Sequence, residues 1–187
     1  MIPFHLPKNR LLLTSFFFIF TSLINFAPPW PQPLPILIRL LLLLTGAALG
    51  FFLIEIDHFV YTLIGHPEEL TSQRVANLLR QFKISSAISV LQSTQNERQQ
   101  LFFHSFLFQV IFTCLTFWVI SSTGSFFGKG LVLSLSFQIF LKQLREFQTQ
   151  GNLSSWFWNF KLDIPQSRLP LYLTGYFFLH LLFAWWI

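Results

Sequence analysis

Between Leu34 and Ile54 the chain runs for 21 residues with a single charge, Arg39. A helix crossing a hydrocarbon layer needs roughly 20 predominantly apolar residues, within a range of about 17–25. Three further runs carry no charge at all: Leu11–Ala27 with 17 residues, Leu101–Ile120 with 20, and Leu171–Ile187 with 17. A fifth, Leu131–Leu141, offers 11 residues before Lys142, and the amphipathic LKQLREF extends it to Phe147. The pattern predicts an all-α polytopic membrane protein, a single domain with spans at about 11–27, 36–56, 101–120, 131–147 and 170–187, the fourth being partly polar. Charged residues are only 10% of the chain, against about 25% in soluble domains, which excludes an ordinary water-soluble globule. A hydrophobic content of 53% excludes disorder, and the 26 phenylalanines suit a lipid-facing surface.

The charges orient the bundle. Lys8 and Arg10 precede the first run; Arg74, Arg80, Lys83 and Arg98 follow the second; Lys142, Arg145, Lys161 and Arg168 follow the fourth. With the N-terminus inside, ten of the twelve basic residues are cytoplasmic, leaving Arg39 and Lys129 near the outer side. That is the positive-inside pattern, and Trp30, Trp185 and Trp186 fit an outer aromatic belt. The net charge of +5 does not point to nucleic acid, because the basic residues are scattered and form no binding motif. The lone Cys114 excludes an internal disulfide and a cysteine-based zinc site. The first run resembles a signal peptide, but it is long, no A-x-A site follows, and Pro28, Pro29, Pro31, Pro33 and Pro35 stiffen the next turn. We expect an uncleaved first helix.

Gly65–Gln100 is the one substantial insertion between spans. Gly65 and Pro67 are expected to end the second helix, and Thr71 or Ser72 to cap a short one carrying Val75, Leu78, Leu79 and Phe82 as an apolar stripe. A second short helix places Ile84, Ile88 and Leu91 on one face. Two small helices lying on the cytoplasmic membrane surface, or capping the bundle, are the plain reading. A docking platform for a protein partner, formed by residues 65–100, is the functional one.

Ionisable groups inside a span are costly and default to functional hypotheses. The second run ends in IEIDHF, so Glu55, Asp57 and His58 offer three potential ligands. Glu55 and His58 share a helical face, and carboxylates with neutral imidazole suit zinc, manganese or a related ion. The bland alternative is a helix end entering water. His104 sits one turn into the third span among Phe102, Phe103, Phe106 and Phe108. The orientation brings it to the depth of Asp57 and His58, unless it merely bonds a helix carbonyl. Gln138 and Lys142 share a face of the fourth span, most simply as an interhelical hydrogen bond and a snorkelling lysine. His180 is expected to bond a backbone or hydroxyl group; His66 is solvated and His5 frayed. Ser105 points away from His104 and makes a poor nucleophile–base pair.

Three segments together resemble the membrane-bound metal-dependent hydrolase family, whose bacterial members include a damage-inducible inner-membrane protein. LGFFLIEIDH is similar to LG-x-x-LPDIDH, FFHSFLF to R-G-x-THS-LL, and GLVLSLSFQIFLK to G-x-x-x-H-LLLD, in the same order over roughly residues 46–142. The resemblance implies an inner-membrane protein with a divalent metal near the membrane surface. Glu55 and Asp57 stand at the two Asp positions of D-x-D-H, His58 at its His, and His104 at the His of THS; Arg98 precedes it with two extra residues between. Gln138 and Lys142 replace the His and the Asp of the third motif, so two expected ligands are lost and one has become a cation. Two readings follow. Either Glu55, Asp57, His58 and His104 still hold a metal that activates water against a phospholipid-like or other interfacial substrate, or the polar cluster is structural in a non-enzymatic bundle. A transporter lacks support, since no broken-helix pair or internal symmetry is visible.

Overall fold

The computed structural model describes residues 8–25, 33–94, 103–122, 124–157 and 165–187, and among them there is no strand. Seven α-helices carry the fold: α1 (Lys8–Asn25), α2 (Pro33–Val60), α3 (Leu70–Arg80), α4 (Ile84–Ser93), α5 (Phe106–Ser122), α6 (Phe126–Gln150) and α7 (Leu169–Trp185). A π turn, Tyr61–Gly65, prolongs α2, and a 3₁₀ turn, Ser154–Phe157, follows α6. Among the described residues one helix, Ile36–Gly65, is long and apolar enough to cross a membrane by length and composition; Asn9–Asn25 and Phe106–Ser122 are apolar but shorter.

α6 is the centre. It packs against α1, α2, α5 and α7, and every residue from Val132 to Leu141 is buried. This explains the polarity of the fourth apolar run: Ser134, Ser136, Gln138 and Gln143 face other helices. Its ends are well specified. Ser125 Oγ accepts the Gly128 N–H at the start, and Gly151 at φ 71° closes the end, its N–H bonding the Phe147 carbonyl. Both are the residue types that supply these caps at least cost.

α2 lies on α6 at backbone contact. A methyl group added at Gly46 would strike the Phe127 carbonyl, one at Gly50 the Leu131 carbonyl, and one at Gly130 the Leu43 carbonyl. Small residues permit such approach, and dispersion across it replaces the hydrophobic driving force that helices in lipid lack. The register, with 43 beside 130 and 50 beside 134, makes α2 and α6 parallel. The pairs Gln109–Gln143 and Gln143–Tyr172 make α5 and α7 antiparallel to α6. Arg10 meets Gln138 and Asn25 meets Ala184, so α1 runs with α7. Helix direction therefore alternates through α1, α2, α5, α6 and α7.

Several expectations are corrected. Arg10 is no flanking charge in water but lies inside α1, buried. His104 is outside α5: Ser105 takes the start, its Oγ accepting the Phe108 N–H at 3.2 Å, which leaves His104 in the preceding turn. α3 is preceded by Glu69 without a side-chain cap, rather than capped by Thr71 or Ser72. The α3 stripe stops at Leu79, because the helix ends and Phe82 turns outward. α4 buries Ala87 and Leu91 against Val75, leaving Ile84 exposed. Trp30, His5 and Arg98 lie outside the described residues.

Candidate functional site

The parallel register carries Asp57, two turns beyond Gly50, to the level of 141–142 on α6, where that helix's buried run ends. The turn before α5 arrives at the same place. Asp57 Oδ2 accepts the Phe103 backbone N–H at 2.8 Å and lies 2.9 Å from His104 Nδ1. A carboxylate only accepts, so Nδ1 is the protonated nitrogen and Nε2 carries the lone pair. Asp57 is fully buried, His104 nearly so, and the His58 ring lies 5.9 Å from that of His104. A buried carboxylate needs such donors, since its desolvation is otherwise unopposed.

Trp156 covers the pair. It is fully buried with its ring 5.3 Å from that of His104, and its Nε1–H donates to Glu146 Oε2 at 2.8 Å. Ser155 donates to the other oxygen of the same carboxylate. Sequence reasoning missed both residues; the available signal was SSWFW, an aromatic group just past the glycine stop of α6.

One turn along α6 toward the middle of the bundle lies a second cluster. Arg10 donates to Gln138 Oε1 from Nε at 3.1 Å and from Nη2 at 2.6 Å, while Gln138 Nε2 donates to Thr14 Oγ1 at 2.7 Å. The guanidinium stands 5.6 Å from the Phe51 ring centre. Gln138 thus bonds the first helix. Lys142 is half-buried one turn further, and the Glu55 side chain lies outside the described portion.

A third network joins α5, α6 and α7. Tyr172 and Gln143 both donate to Gln109 Oε1 at 2.6 Å. His180 Nδ1 donates to the Tyr176 carbonyl at 2.7 Å, so its Nε2 accepts from Ser136 Oγ at 3.0 Å. His180 therefore bonds both a backbone and a hydroxyl oxygen. Arg39 and Lys129, the two basic residues left over at the other end, both approach the Phe126 ring, and Lys129 bonds the Ile187 carbonyl.

The donors do not make a metal centre of the kind the resemblance implies. Among the described residues no three His, Cys, Asp or Glu side chains group so as to hold an ion. Asp57 Oδ2 is engaged by two donors, and the amide at position 138 is engaged on both its atoms. No family model matches the chain, and neither a curated protein nor a solved structure does.

Proposed function

We propose that the chain is a polytopic inner-membrane protein, a diverged relative of the membrane-bound metal-dependent hydrolases whose site has become a metal-free structural cluster. The reading has α1, α2, α5, α6 and α7 cross the bilayer with the N-terminus cytoplasmic. Its support is an inverted polarity. Phe16, Trp118, Leu171 and Phe178 are 62–76% exposed on the four outer helices, while Gln138, Gln143, Ser136 and His180 are wholly enclosed. Water disfavours that distribution, and a hydrocarbon solvent favours it. At 17 and 18 residues, α5, α7 and α1 reach the lower limit of spanning length.

The observation that carries the metal-free reading is the Arg10–Gln138–Thr14 cluster. Where the family pattern has a neutral imidazole facing a cation, this chain has an amide holding a guanidinium. A cation at that distance from the carboxylates opposes a divalent ion. Elemental mass spectrometry of protein purified without chelators is expected to find far less than one ion per chain. A stoichiometric transition metal defeats the proposal.

A second reading, hydrolysis of an interfacial substrate, is favoured by the Asp57–His104 pair. A carboxylate holding Nδ1–H leaves Nε2 as a ready general base. Turnover of lipid-like esters or phosphoesters that His104→Gln abolishes and Trp118→Leu leaves intact is what that reading requires.

A further inference from the structure

We propose that the tip of the α3–α4 hairpin, Arg80 to Ile84, is an anchor for an anionic lipid surface, with Phe82 inserted among the headgroups and Arg80 and Lys83 beside it; this rests on the membrane placement proposed above. The turn itself is the first observation. The Lys83 N–H bonds the Leu78 carbonyl and the Phe82 N–H bonds the Leu79 carbonyl, both at 2.9 Å. That is the Schellman arrangement, whose left-handed position normally belongs to glycine or asparagine. Here Phe82 occupies it, at φ 57°, and it is the one non-glycine residue with positive φ among those described. A bulky side chain there is strained. Nothing inside the chain compensates, because Phe82 is 88% exposed. A bilayer interface does compensate, by taking up the aromatic ring.

Charge selects the surface. Arg74, Arg80 and Lys83 lie on the hairpin, and no acidic residue occurs between Glu69 and Glu97. Each basic group near an anionic leaflet strengthens attachment by about fivefold. The apolar surface is also continuous in sequence with the bundle: Ile64, at the end of the α2 extension, and Leu70, at the base of α3, are 76% and 85% exposed. A soluble protein partner would leave the lipid-facing base unexplained, whereas one bilayer covers both.

The test uses the full chain in nanodiscs of phosphatidylcholine with phosphatidylglycerol. An environment-sensitive fluorophore is attached at Ile84→Cys in a Cys114→Ser background, and nitroxide lipids act as quenchers. Shallow nitroxides are expected to quench it, and Phe82→Gly is expected to remove most of that quenching. Because glycine suits the φ at this position, that variant keeps the turn and removes only the anchor. Arg80→Gln with Lys83→Gln should remove the dependence on phosphatidylglycerol. A second probe at Trp118→Cys reports on the bundle. Quenching at 118 without quenching at 84 overturns the anchor alone and makes the tip a face for a soluble protein. Equal quenching at 84 in the Phe82→Gly chain also overturns it. No quenching at 118 removes the membrane placement itself.

Discussion

Asp57 and His104, 47 positions apart in sequence, meet at 2.9 Å because a serine cap starts α5 one residue after the histidine. The carboxylate takes a second donor from the Phe103 backbone. Asp57→Asn keeps one acceptor oxygen, whereas Asp57→Ala leaves both donors without one. Unfolding in detergent should show a loss of about 1–2 kcal/mol for asparagine and about 2–4 for alanine. Equal losses would mean that the side chain acts only by filling space.

Gln138 supplies the acceptor for Arg10 and a donor to Thr14. Gln138→Leu should cost about 2–3 kcal/mol, because hydrogen bonds to a charged group are the stronger kind. Gln138→Glu retains an acceptor for the guanidinium and should cost less in the same assay. The order leucine worse than glutamate is the test; the reverse order argues that Arg10 does not depend on this position.

The glycines should divide by sign. At Gly50 a methyl group would meet the Leu131 carbonyl, with Ser134 Cβ at 3.0 Å and the Leu135 nitrogen at 3.1 Å, so Gly50→Ala must part α2 from α6. Its expected cost is about 1–3 kcal/mol, the usual range for an overpacked site. At Gly175, inside α7, a methyl group would meet nothing within 4 Å. Gly175→Ala should instead gain about 0.5–1 kcal/mol from helix propensity. Thermal midpoints of the two variants measured side by side decide the matter.

Helix direction and charge asymmetry together predict opposite faces for the α1–α2 turn and the hairpin. In a Cys114→Ser background, a membrane-impermeant thiol reagent should label Trp30→Cys from outside and Asn77→Cys only after permeabilisation. Labelling of both from the same side rules out the proposed topology.

The five apolar runs could be read from the sequence because each is bounded by charge, proline or glycine, and α1, α2, α5, α6 and α7 overlie them. The nearness of Asp57 to His104 could be read too, since alternating helices bring the end of one and the start of another to a common level. Arg10 was hidden. A basic residue ahead of an apolar run is ordinarily a water-side flank, and its partner is 128 positions away. Tyr172, Tyr176 and His180 stand at helical spacing, yet spacing alone does not reveal that Gln109, Ser136 and Gln143 will meet them. Phe82 was misread because it continues an apolar stripe past the point where the helix stops. Periodicity reports the stripe, and only the chain's geometry reports where it ends.

The contact of α2 with α6 also has a consequence for how the protein is made. Parallel neighbours in an alternating bundle are never consecutive, so α2 leaves the ribosome well before the helix it must grip. Until α6 arrives, Gly46 and Gly50 have no backbone to touch, and α2 waits as a solitary helix. The central helix, too polar to wait alone in lipid with Gln138 and Gln143 uncovered, is synthesised after three of its four neighbours. Order of synthesis thus matches order of need: the apolar segments are inserted first, and the polar one enters a niche already prepared for it.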